Sequence, residues 1–107
     1  MIDVVRIDAV GFREGGAWVV HGVNFDIVAQ TAADSPVEAF KAFLHAVMER
    51  IAIARHLGTD PFKNLGPAPE HIRAKFERAD TLTIHRPVED DPAPTNAEVS
   101  MRLAEAA

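Results

Sequence analysis

The chain has 107 residues, 48% of them apolar, a net charge of −5 and no cysteine. That length suits one domain with one modest core. The composition excludes disulfides and thiolate metal sites, the apolar runs fall far short of the ~20 residues a membrane span needs, and the negative charge argues against nonspecific nucleic-acid binding.

The charge is unevenly placed. Residues 87–107 hold Glu89, Asp90, Asp91, Glu98 and Glu105 against a single base, Arg102, whereas the preceding body is nearly neutral. The first six residues lack the basic start and apolar stretch of a secretory signal, so a cytoplasmic protein is expected.

Residues 2–13 read as a first strand, with Val5, Ile7 and Ala9 alternating against Arg6 and Asp8. Glu14-Gly15-Gly16 is a hairpin signal, because glycine reaches the positive φ that tight turns demand. Residues 17–23 form a second strand rich in β-branched and aromatic side chains, including Trp18. Asn24 breaks it. Residues 25–30 form a third strand, with Phe25, Ile27 and Ala29 on one face. Short connections favour an antiparallel meander.

The next stretch predicts the dominant helix. Ser35 with Glu38 three residues later is a capping-box pattern, and Pro36 falls at the first helical position. Phe40, Phe43, Leu44, Val47, Met48, Ile51 and Leu57 recur at helical spacing, and Gly58 closes the run. This helix is expected to lie across a sheet face made by Val5, Ile7, Trp18, Val20, Phe25 and Ile27, giving the two layers a core requires.

Three prolines and a glycine make residues 59–69 a loop, with Phe62 and Leu65 as its anchors. A short helix is expected over residues 69–79, with Ile72 and Phe76 on one face. A short strand is expected over 81–85, placed to extend the sheet edge. Residues 87–94 resemble a solvated, acidic, proline-rich linker. Thr95-Asn96-Ala97-Glu98 is a second capping-box pattern, so the end of the chain reads as a short helix or a disordered tail.

Chemistry-bearing patterns are sparse. The five histidines, His21, His45, His56, His71 and His85, form no His-x-x-x-His pair. His21 reads as a strand residue on the solvent face or at an interface, and His45 and His56 as exposed helix residues. Asp8 and Asp26, with Glu38 or Glu49, could be imagined as magnesium ligands of a two-metal nuclease, but no further acidic set accompanies them. Ser35 is a cap, Ser100 lies near the end, and no Gly-x-Ser-x-Gly occurs. Trp18 reads as a core residue before a ligand platform. No catalytic residue, metal or cofactor is expected.

Three segments carry a resemblance: Gly15-Gly16-Ala17-Trp18-Val19-Val20-His21, then Phe25-Asp26-Ile27-Val28-Ala29-Gln30, then Asp34-Ser35-Pro36-Val37-Glu38-Ala39-Phe40. Together they resemble the HicB-like antitoxin family over about residues 3–80. Asp26-Ile27 and Ala29-Gln30 match the family's third strand, and Ser35, Glu38 and Ala39 its helix opening. Thr31 stands where the family has glycine, and no helix-turn-helix or ribbon-helix-helix pattern follows Asp80. The resemblance implies a small sheet crossed by one helix, similar to a double-stranded-RNA-binding domain. It also implies a non-enzymatic protein that covers a small basic ribonuclease toxin. On that reading the partner-binding residues are Trp18, His21, Asp26 and Gln30.

The expected protein is therefore α+β: an antiparallel three- to four-stranded sheet with one long helix packed on one face, in the order β-β-β-α-α-β. Residues 1–86 form the domain and residues 87–107 the linker and tail. It is expected to form a homo-oligomer, with direct nucleic-acid binding and membrane association not expected. The rival functions are a solitary oligomeric or small-ligand-binding domain, and a relict metal-dependent nuclease.

Overall fold

The computed structural model describes residues 5–32, 35–63, 65–79, 83–87 and 97–104. The chain is α+β, with the element order β1 (Val5–Glu14), β2 (Ala17–Gly22), β3 (Val28–Thr31), α1 (Pro36–Leu57), α2 (Glu70–Arg78), β4 (Thr83–Pro87) and β5 (Ala97–Leu103). The five strands form one sheet in the order β3-β2-β1-β5-β4.

The first hairpin forms where the glycines direct it. Glu14 pairs with Ala17, and Gly15 and Gly16 have φ of 59° and 81°. Positive φ at both central residues is the turn whose twist matches that of the flanking strands. β2 then pairs antiparallel with β3, Trp18 opposite Thr31 and His21 opposite Val28. The third strand is shorter than its sequence pattern, because residues 23–26 form the turn. That turn is bonded back into the sheet. The Asn24 side chain donates to Arg6 O at 2.7 Å and accepts from Asp8 N at 2.9 Å, while Val23 N donates to Asp8 O. An amide side chain thus serves as a strand neighbour for β1.

α1 starts and stops on local signals. Ser35 is extended, and its Oγ accepts from Val37 N. Glu38 reaches Lys41 at 3.5 Å, so the serine half of the capping box is the half that bonds. At the other end Gly58 is left-handed, Thr59 N donates to Ala54 O and Gly58 N to Arg55 O. This pairing satisfies carbonyls that the last turn would otherwise leave open. Ala39, Phe40, Phe43, Val47 and Ile51 are buried on Ile7, Ala9, Val20, Ile27, Val99 and Met101, and Ala54 is buried near the helix end. Val5, Trp18, Phe25, Leu44 and Met48 are half-buried around this core. Leu57, expected on the buried face, is 67% exposed. It shares the azimuth of buried Ala39, five whole turns earlier, so its exposure follows from its place as the last residue of α1 and not from its angle.

The loop after α1 carries the chain from one sheet face to the other. Phe62 and Leu65 pack on the α1-side core, and the Phe62 ring lies 5.2 Å from that of Phe25. Asp26 N donates to Gly66 O and Ala68 N to Val23 O, so the loop is bonded to the β2–β3 turn as it passes. α2 then lies on the opposite face, where Ile72, Ala68 and Ala79 pack with Val10, Phe12 and Val19. The sheet is therefore covered by a helix on each side.

The C-terminal reading needs correction. Residues 97–103 are a strand, β5, in place of a helix or disordered tail. They are integral to the sheet, so the boundary at residue 86 cuts through it. β5 runs parallel to β1, from Val5 opposite Ala97 to Gly11 opposite Leu103, and antiparallel to β4. The sheet is mixed and five-stranded, in place of an antiparallel one of three or four. Val99, Met101 and Leu103 recur at a period of two, the spacing of one strand face, and Val99 and Met101 have no exposure. The acidic neighbourhood obscures that period. The linker reading of residues 87–94 falls, beyond Pro87, outside the described residues.

Met101→Ala is expected to cost about 2–5 kcal/mol, read as a lower urea midpoint at unchanged slope. A chain ending at residue 94 is expected to lose cooperative unfolding altogether, since β1 would then lack its inner partner.

Candidate functional site

The four residues singled out in the sequence gather at the β2–β3 end of the sheet, but on two faces. Alternation along β2 directs Trp18 and Val20 to α1, and Val19 and His21 to the other side. Trp18 is half-buried. Its Nε1 is buried without a hydrogen-bond partner among the described residues, and the Arg13 guanidinium lies 5.8 Å from its ring. This position fits the core reading better than the platform reading.

His21 and Asp26 belong together. His21 Nε2 lies 2.6 Å from Asp26 Oδ1, with the histidine side chain 15% exposed and the aspartate 49%. Asp26 is a turn residue, and its backbone N–H is held by Gly66 O. The contact closes the β2–β3 turn onto β2. Asp8 lies elsewhere in the arrangement: its backbone is bound by Asn24, two residues before Asp26. Among the described residues no group of three or more His, Cys, Asp or Glu could hold a metal ion. His45, His56 and His71 are exposed, and His85 lies on β4.

Gln30 is on β3, exposed, opposite Val19 and therefore on the same face as His21. Val28 stands beside them and is 55% exposed. Sequence reasoning placed Val28 with Asp26 and Gln30 on the face opposite Ile27 but did not name it for binding, because alternation gives a residue's face and not whether that face is covered. The exposure has a topological cause. α2 packs over β1, and its cluster takes in Val19 and, half-buried, Val23, the residues on either side of His21 on that face. The β3 part of that face, with Val28 and Gln30, is left exposed beyond the mostly buried His21.

β3 is also a sheet edge. Gly22 N donates to Ile27 O at 2.7 Å, which sets the alternation of the antiparallel ladder. In the register of the pair, Ala29 and Thr31 bond inward to β2, whereas Val28 and Gln30 turn their backbone N–H and C=O outward. Val28–Thr31 contains no charged residue and no proline, two of the devices by which edge strands usually discourage pairing. The candidate site is thus a short open edge bordered by the exposed side chains of Val28 and Gln30.

Comparison with protein-family models, with curated proteins and with solved structures finds no match to this chain. No helix among the described residues is long and apolar enough to cross a membrane.

The turn beneath the edge depends on Gly22, where an added Cβ would stand 2.2 Å from Phe25 O. Gly22→Ala is expected to lower stability by about 1–3 kcal/mol. It should also shift the His21 ring resonances, because the turn that presents Asp26 must move.

Proposed function

We propose that this chain is a non-enzymatic protein-binding domain that takes an extended segment of its partner onto the β3 edge. The observation that carries the reading is the outward-facing backbone of Val28 and Gln30 on a strand without charge or proline. Strand addition uses such an edge for affinity, through main-chain hydrogen bonds, and neighbouring side chains for selectivity. Here those side chains are Val28, Gln30 and the His21–Asp26 pair. Trp18 faces α1 and supports the edge from behind.

The HicB-like resemblance of residues 15–40 supports a more specific partner: a small basic ribonuclease toxin whose active face the domain covers. The net charge of −5 suits such a partner, since opposite charge speeds encounter and disfavours wrong partners. Occlusion demands no catalytic group of the binder.

The test is a search for a small basic ribonuclease encoded next to this chain and titration of its product, with ribonuclease inhibition as the second readout; absence of such a neighbour would overturn the toxin reading. Gln30→Pro removes one outward N–H and leaves the inward ladder intact, as edge positions permit. It is expected to weaken binding roughly tenfold, the equivalent of one hydrogen bond of about 1.4 kcal/mol, with little change in thermal midpoint. Unaltered affinity would exclude strand addition at β3.

A further inference from the structure

Among the described residues the sheet has two edges, and they are guarded differently. β4 carries Arg86 and ends on Pro87. A charged side chain and a proline are two means by which an edge strand resists pairing. β3 has neither. Its outward N–H and C=O groups belong to Val28 and Gln30, placed symmetrically about Ala29.

That spacing makes the edge complementary to itself. A two-fold axis through Ala29, normal to the sheet, lays a second β3 antiparallel to the first. Val28 of each copy then stands opposite Gln30 of the other. Both are hydrogen-bonding positions, so each pair exchanges two N–H···O bonds and every outward group of the two residues is used. Ala29 meets its own counterpart at the close, non-bonded position between them, where a methyl group leaves room.

The charges select the same arrangement. The chain carries −5, which opposes self-association in general, but β3 itself is uncharged. The nearest acid is Asp26, in the turn before β3. The two-fold sets the two Asp26 residues at opposite ends of the junction, about 20 Å apart at the rise of an extended chain. Screening at 0.1 M salt acts over about 10 Å, so their repulsion is largely removed. A parallel, in-register copy would set Asp26 beside Asp26.

From this we infer that a second copy of this chain fills the β3 edge when no other partner does, joining two five-stranded sheets through an antiparallel β3–β3 ladder. The inference rests on the reading of β3 as an open edge and adds what occupies it: an incoming segment must displace the second copy. The contact is closed. Each chain spends its open edge on the other, and the far edges keep Arg86 and Pro87, so pairing stops at the dimer.

Sedimentation across a concentration series, with amide hydrogen exchange alongside, tests it. The wild-type chain is expected to reach a dimer and nothing larger. Exchange of the Val28 and Gln30 amides is expected to halve where half of the chains are paired, while the inward-bonded Ala29 and Thr31 amides keep their rates. The double variants Val28→Lys with Gln30→Lys and Val28→Glu with Gln30→Glu alter exposed side chains and set like charges opposite each other. Each is expected to sediment as a monomer with an unchanged thermal midpoint, and an equimolar mixture of the two to form a heterodimer. A wild-type chain that stays monomeric, a dimer whose Val28 and Gln30 amides exchange as in the monomer, or charge variants that dimerise alone as well as mixed would each overturn the inference. If self-pairing fails while titration with the neighbouring ribonuclease still depends on Gln30, the second copy is excluded and the edge reading stands.

Discussion

The parallel pairing of β5 with β1 is the constraint on which the structure depends. β5 enters between β1 and β4 and closes the middle of the sheet. It also reaches both helical layers. Val99 and Met101 belong to the core under α1. On the other face the Arg102 guanidinium lies 4.2 Å from the Phe76 ring of α2, and its Nη1 donates to Phe76 O. One strand thus joins two helices that have separate apolar clusters. The Arg6–Glu98 ion pair across the same ladder, at 3.2 Å with Arg6 largely exposed, adds little, since exposed pairs are screened and cost side-chain entropy. Burial of Val99 and Met101 stabilises the pairing, each large side chain contributing roughly 1.5–3 kcal/mol.

That centre explains why the two ends of the sheet differ. α2 is drawn to the β1–β5 side by Phe12, Arg102 and Lys75, whose Nζ sits 5.1 Å from the Phe12 ring. Its cluster therefore reaches Val19 of β2 but leaves Val28 and Gln30 of β3 exposed on that face. The β3 end is instead held from beneath by α1 and from the side by the Gly22–Ile27, Asp26–Gly66 and Val23–Ala68 hydrogen bonds. An edge fixed on two sides costs less ordering when a partner strand arrives. The same loop that supplies Gly66 and Ala68 also supplies Pro61 O to Arg50 Nε, so one connection ties the β3 turn to α1.

The parts of this fold legible in the sequence are those whose cause is local. Gly15-Gly16, Ser35-Pro36 and Gly58 each act within a few residues, and the hairpin and the ends of α1 formed where those residues stand. The alternation of Ile7, Ala9 and Val20 likewise marked the α1 face. β5 was not legible, because its partner lies over ninety residues away and a capping-box pattern, Thr95 to Glu98, competes with the period of Val99, Met101 and Leu103. Leu57 was misplaced for a related reason. Periodicity gives a residue's angle on the helix, which Leu57 shares with buried Ala39, but does not say how far along the helix the covered stretch extends. The candidate site was visible as residues and hidden as geometry. His21, Asp26 and Gln30 could be named, but their common face follows from β2 register, and the importance of Val28 follows only from where α2 stops.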